Sequence, residues 1–138
     1  MKKEIKTKVF LADDDALYLK ALEIEFLQNT DFEVETFATG ELLIEKLSEE
    51  PDLIILDYHL DGIDKDAMNG LNVLKKIKAI NQKIPVVMLS SQDKIEVAIN
   101  CMHHHAFDYV VKSETAFLRL KKIIAILLRY QALERQLG

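Results

Sequence analysis

The chain has 138 residues, 49% of them hydrophobic, and a net charge of −5. That length is one domain with enough apolar material for a packed core, and the acidic balance argues against direct nucleic-acid binding, which needs a basic patch. The single Cys101 excludes a disulfide framework and fits a reducing cytoplasm. No apolar run approaches the roughly 20 residues of a membrane span, and the apolar stretch after Lys2, Lys3, Lys6 and Lys8 is too short for a signal peptide.

Along the chain, short apolar runs alternate with segments of helical period, the pattern of a βα repeat with a mainly parallel sheet. Val9–Ala12 is the first strand and runs into Asp13-Asp14-Asp15. Leu19, Leu22 and Phe26 then recur at helical spacing, with Asp15 placed to cap that helix. Phe32, Val34 and Thr36 alternate with Glu33 and Glu35, which predicts a half-exposed edge strand. A helix around Leu43 and Leu47 must stop before Pro51. Leu53–Leu56 is a wholly apolar strand ending at Asp57. The segment from Tyr58 to Met68 is long for a βα connection and carries Asp61, Asp64 and Asp66. Asn69-Gly70 opens a helix marked by Leu71, Leu74 and Ile77. Val86–Leu89 is a strand ending at Ser90, and Ile95, Ala98, Ile99 and Met102 mark the next helix, with Cys101 facing core. Tyr109–Val111 is a last strand ending at Lys112, followed by a helix from about Thr115 to Leu137.

Strand ends of a parallel sheet line one crevice, so Asp13, Asp14, Asp57, Ser90 and Lys112 converge although far apart in sequence. Clustered carboxylates repel unless solvated or neutralised, and their hard oxygens suit Mg²⁺, which also binds phosphate oxygens. Asp57 in that setting can act as a nucleophile on phosphorus, giving an acyl phosphate. The Ser90 hydroxyl can bond a phosphoryl oxygen, and Lys112 supplies a point charge. Taken singly, each residue is equally an ordinary turn or loop residue; jointly they are specific. His103-His104-His105 is set aside as a metal site, because adjacent helical side chains point about 100° apart.

On these residues the chain resembles a response-regulator receiver domain over about residues 8 to 128. Five features match in order: the acidic pair Asp13-Asp14, the acceptor Asp57, Asn69-Gly70, the hydroxyl and small residue Ser90-Ser91, and the run Tyr109-Val110-Val111-Lys112. The resemblance implies a doubly wound (βα)5 α/β fold with a five-stranded parallel sheet of order 2-1-3-4-5 and an extended C-terminal helix. It implies that Asp57 accepts a phosphoryl group from a histidine kinase or phosphotransfer protein, and that the chain is otherwise not an enzyme. Asp14, Asp57 and the His59 main-chain oxygen would ligate Mg²⁺, with Asp13 helping through water. Ser90 and Tyr109 would form the conformational switch, and His59 and Gln92, each two residues beyond a site residue, would tune the lifetime of the phosphorylated state. The chain departs from the family in its longer acidic loop, in Ser113 where a proline usually follows the lysine, and in His105 where glycine is common. A non-proline cis bond costs about 3 kcal/mol, so the departure leaves the Lys112–Ser113 peptide open to the trans isomer, and the placement of Lys112 open with it.

Three rivals stand beside this reading. A haloacid-dehalogenase-like phosphatase would use Asp13 and Asp15 with Ser90 and Lys112, but leaves Asp57 without a role. A flavin-binding module lacks its phosphate-cradling loop. A receiver-like scaffold with no chemistry predicts no labelling of Asp57. Beyond the domain, taken as residues 1–128, residues 129–138 extend the last helix. Phe117, Leu120, Ile124 and Leu127 form a stripe that can face the sheet, whereas Ile123, Ile126, Tyr130, Leu133 and Leu137 form a second stripe with heptad-like steps. That second stripe predicts a homodimer through the helix or its continuation as a linker into an output domain, against the blander expectation of a tail folded over its own domain.

Overall fold

Alternation of side chains along the strands explains the architecture seen in the computed structural model, which describes residues 6–137. Five strands, β1 (Thr7–Ala12), β2 (Phe32–Phe37), β3 (Leu53–Asp57), β4 (Val86–Ser90) and β5 (Asp108–Val111), form one sheet. All pairs are parallel, in the order β2-β1-β3-β4-β5. The helices are α1 (Ala16–Leu27), α2 (Gly40–Glu45), α3 (Gly70–Ile80), α4 (Ile95–His103) and α5 (Ala116–Leu137). The expected doubly wound fold is therefore the observed one.

Successive strand residues point to opposite faces, and the core divides accordingly. Phe10, Ile54, Leu56, Val86 and Met88 pack on one face with Leu43 of α2, Val73, Leu74 and Ile77 of α3 and Cys101 of α4. Val9, Leu11, Leu53, Ile55, Val87 and Leu89 pack on the other with Leu22 and Phe26 of α1 and Leu120, Ile124 and Leu127 of α5. The central strands are buried on both faces, which is why they read as continuous apolar runs. β2 pairs only with β1 and leaves Glu33 exposed, as an edge strand should.

Two elements differ in detail from the sequence expectation. The helix around Leu43 and Leu47 is α2 followed by a separate 3₁₀ turn over Leu47–Glu49, with the break at Lys46. Glu50 then takes a left-handed φ of 54°, consistent with the bar on helical conformation before Pro51. In α4 the large apolar residues do not face core. Ile95, Ile99 and Met102 are exposed, and Cys101 is the helix's buried residue. The helix ends in a left-handed residue, His105, with φ 72°, while the Ala106 N–H donates back to Cys101 O at 3.1 Å. This is the Schellman arrangement, in which glycine is usual.

In α5, Leu120, Ile124 and Leu127 are buried and Phe117 is half-buried, so the first stripe faces the sheet. Ile126, Tyr130, Leu133 and Leu137 of the second stripe are exposed, and Ile123 is half-buried. The helix is continuous to Leu137, and Gln131 Nε2 donates to Asp52 O at 3.0 Å, which ties its later turns to the entrance of β3. None of the described helices is long and apolar enough to cross a membrane.

Candidate functional site

Burial alone marks the site. Among the described residues, the buried polar or charged side chains are Asp13, Asp57 and Ser90, and all three lie where strands β1, β3 and β4 end. Apolar strand interiors carry the chain inward, so the first polar residue after each one sits at the mouth of the crevice with little access to water.

Asp13 is held from two sides. Its Oδ1 accepts from the Asp15 N–H at 2.9 Å, and its Oδ2 lies 2.9 Å from Lys112 Nζ, although that contact lacks hydrogen-bond geometry. Lys112 also reaches Asp57 Oδ1 at 3.4 Å. The Lys112–Ser113 peptide is trans, since no described peptide bond is cis, and the lysine reaches the cluster all the same. Burial works against the Lys112 ammonium, but its contacts with Asp13 and Asp57 outweigh this and hold its pKa above the ordinary lysine value. Asp57 shows the opposite balance. Burial and then repulsion from Asp13 push its pKa from 3.8 to about 7, against the pull of Lys112 and the His59 backbone.

Asp14 is half-buried, and its Oδ2 accepts from the Ile63 N–H at 3.1 Å. The long loop after β3 thus folds back over the end of β1. Gly62 allows this approach: a Cβ there would lie 2.9 Å from Asp14 Oδ2 and 3.5 Å from His59 O, so the expected main-chain ligand and the Asp14 carboxylate flank the same point. Oxygens of Asp13, Asp14 and Asp57 all lie within 4.8 Å of one another. Around six-coordinate Mg²⁺, with bonds near 2.0–2.1 Å, ligand oxygens stand roughly 3–4 Å apart, so slight closure of these hard donors fits that ion. The loop aspartates Asp61, Asp64 and Asp66 are not in this group. Asp64 and Asp66 are exposed, and Asp64 Oδ1 accepts from the Asp66 N–H within a turn.

Gly70 sets the depth of the loop's return. Its N–H donates to Tyr58 O at 2.9 Å, and a Cβ there would collide with Asp57 O and stand 2.6 Å from Tyr58 Cα. Asn69 Oδ1 accepts from the Asn72 N–H and caps α3 as expected.

Ser90 and Tyr109 are joined through one residue. The Tyr109 hydroxyl donates to Gln92 O at 2.6 Å, and the Gln92 N–H donates to Ser90 Oγ at 3.0 Å. Ser90 therefore accepts from the Gln92 N–H. Burial raises the Tyr109 pKa, and the Ser90 hydroxyl lies close enough to the tyrosine to lower it in part. Tyr109 is half-buried, packed against the core. The His59 ring stands edge-on to Tyr58 at 5.0 Å, with a buried Nε2 that has no hydrogen-bond partner.

Asp15 is exposed, and its Oδ1 accepts from Leu17 N and Tyr18 N at 3.1 and 3.2 Å, as expected of the α1 cap. It caps α1 and stands outside the acidic cluster, so the phosphatase alternative loses its second carboxylate. The site also has a member the residue pattern did not indicate: the Tyr18 ring lies under Lys112 Nζ, 4.4 Å from centroid to nitrogen. Of the three histidines, His103 and His104 stack edge to face at 5.2 Å, and His104 Nδ1 is 2.8 Å from Asn100 O.

Residues 9–125 match the family model described as response regulator receiver domain. Among curated proteins, the chain is 33% identical over 118 residues to a protein-glutamate methylesterase/protein-glutamine glutaminase of Clostridium acetobutylicum, covering 81% of this chain and 32% of that protein. It is 31% identical over 100 residues to the regulatory protein LuxO of Vibrio cholerae, covering 72% of this chain and 21% of that one. The chain thus spans a third or less of the length of these relatives. Among solved structures, the signal receiver domain of a putative LuxO repressor protein from Vibrio parahaemolyticus superposes with a TM-score of 0.81 at 25% identity, over 96% of this chain and 98% of that one.

Proposed function

Since the chain belongs to the response-regulator receiver domain family, we propose that it is the phosphoacceptor of a two-component phosphorelay, phosphorylated on Asp57 with Mg²⁺. The observation that carries this reading is the meeting of Asp57 with Asp13, Asp14 and Lys112 at the ends of three strands. An Asp57 carboxylate oxygen attacks phosphorus of a phosphohistidine on a kinase or phosphotransfer protein. The P–N bond breaks, and the departing imidazole nitrogen keeps the electron pair and takes up a proton. Asp14, Asp57 and His59 O, with Asp13 acting through water, would hold Mg²⁺, which would neutralise charge on the phosphoryl oxygens. Lys112, 3.4 Å from Asp57 Oδ1, supplies further positive charge. Ser90 then donates to a phosphoryl oxygen. Its movement withdraws the acceptor of the Gln92 N–H, and through Gln92 the change reaches the Tyr109 hydroxyl. The reaction is confined to the chain's own aspartate, in the cytoplasm.

Labelling with acetyl phosphate and Mg²⁺ tests the assignment. The parent should gain one acid-stable, hydroxylamine-sensitive phosphoryl group that Asp57→Asn lacks; equal labelling of the variant refutes it. Asp14→Ala should weaken Mg²⁺ binding in a direct titration. A double alanine variant at His59 and Gln92 should alter the decay rate of the labelled form with little effect on stability.

The output we propose is a homodimer through α5. Ile126, Tyr130, Leu133 and Leu137 present one exposed apolar stripe on a helix that continues past the sheet-packing residues. Sedimentation of labelled and unlabelled protein, with Leu133→Asp and Leu137→Asp as controls, decides this; a monomer in every state at micromolar concentration sinks it.

A further inference from the structure

We infer that Tyr18 is a positioning residue that holds the Lys112 ammonium over Asp57, an inference that rests on the receiver reading above for its consequence in catalysis. Lysine has a flexible four-carbon stem and a point charge with no preferred plane. Left to itself, an ammonium at the rim of a crevice samples many positions. Here it has two carboxylate oxygens on one side, at 2.9 and 3.4 Å, and the face of the Tyr18 ring on the other, at 4.4 Å. A cation over an aromatic face within about 6 Å is attracted by the ring quadrupole, more strongly when partly desolvated. The Lys112 side chain is 17% exposed.

The ring is itself fixed by parts that otherwise have no role in the site. The Tyr18 N–H donates to Asp15 Oδ1, so the third aspartate of the triplet sets the first turn of α1. The ring meets Phe117 of α5 edge-on, at 5.8 Å and 64°. The Tyr18 hydroxyl oxygen is buried with no hydrogen-bond partner, so packing, and not the phenol, holds the ring. The clamp therefore joins α1, α5 and the end of β5. A ring face also suits the chemistry better than a directional acceptor would. As a phosphoryl group grows on Asp57, the ammonium must follow the charge outward, and it can slide across the face without losing its partner.

The experiment separates ring from hydroxyl and contact from catalysis. In the Mg²⁺-free parent, the Lys112 ε-methylene protons should be shifted upfield in the NMR spectrum by the ring current. The shift should persist in Tyr18→Phe and vanish in Tyr18→Leu. With acetyl phosphate and Mg²⁺, Tyr18→Leu should lower the maximal labelling rate about 3- to 10-fold with little change in half-saturating donor, and Tyr18→Phe should restore the parental rate. Absence of the upfield shift in the parent overturns the inference, and needs no variant to fold. So does a parental labelling rate in Tyr18→Leu, or a Tyr18→Phe variant as slow as Tyr18→Leu, which would assign the effect to the hydroxyl. If the shift is present but the parent never labels, the ring–ammonium contact stands and the phosphoacceptor reading alone falls.

Discussion

Without metal, replacing Asp57 by asparagine should stabilise the protein, and the gain should grow with pH. The Asp57 carboxyl is 2% exposed and faces Asp13, and its pKa rises from 3.8 to about 7. For a carboxyl raised on folding, the native state binds the proton more tightly than the unfolded chain. Stability is then greatest below the unfolded value and falls as pH climbs from about 4 to about 7. At about 1.4 kcal/mol per unit, the full shift amounts to roughly 4 kcal/mol. Asparagine has the same shape and leaves the Lys112–Asp13 pair in place, but its buried amide carries a cost of its own. The net gain expected is near zero at about pH 5, rising to about 2–3 kcal/mol near pH 8. Urea unfolding followed by circular dichroism, in a chelator, at both pH values measures it. With Asp57 as a proposed ligand, adding Mg²⁺ should close the gap by stabilising the parent through mass action. A variant less stable than the parent near pH 8, or a difference that ignores pH, refutes the electrostatic reasoning.

Gly70→Ala should destabilise by about 2–3 kcal/mol and slow labelling, because the new methyl must displace the Asp57 and Tyr58 backbone; thermal melts and acetyl phosphate labelling check both. His105→Gly should stabilise by about 1 kcal/mol, seen as a melting-temperature rise of about 3–5 °C, since it removes a side chain from a φ of 72° without changing the cap. The Cys101 thiol is wholly buried, and desolvation pushes its pKa to about 11. It should resist iodoacetamide in the native state near pH 8 and react promptly in urea, and rapid native labelling would show that α4 opens.

Strand ends were legible because the change from apolar to polar is abrupt. Leu56 to Asp57 and Leu89 to Ser90 each pass in one step from buried hydrocarbon to buried polar group. Caps were legible because Asp15 and Asn69 are each the last polar side chain before a segment of helical spacing. In α4 the inward turn of Cys101 was legible from its small apolar side chain. The exposure of Ile95, Ile99 and Met102 was not, because periodicity groups them on one face without saying whether that face meets the sheet. The Ile63 N–H on Asp14 is a backbone donor in a loop, invisible to any pattern of side chains. Tyr18 was missed because its partner is 94 positions away by residue number (112 − 18) and the contact depends on how α1 crosses the end of β5.

The link between Ser90 and Tyr109 runs through the main chain of Gln92, whose N–H and carbonyl make both bonds. The side chain at this position takes no part in either bond. Under the proposed function, replacing it with a larger, smaller or charged one would change the lifetime of the labelled state without breaking this link. Proline, which lacks the N–H, is the replacement that would remove the bond to Ser90. Timing and transmission would then be separable at one position, the first through a side chain and the second through atoms that nearly every amino acid shares.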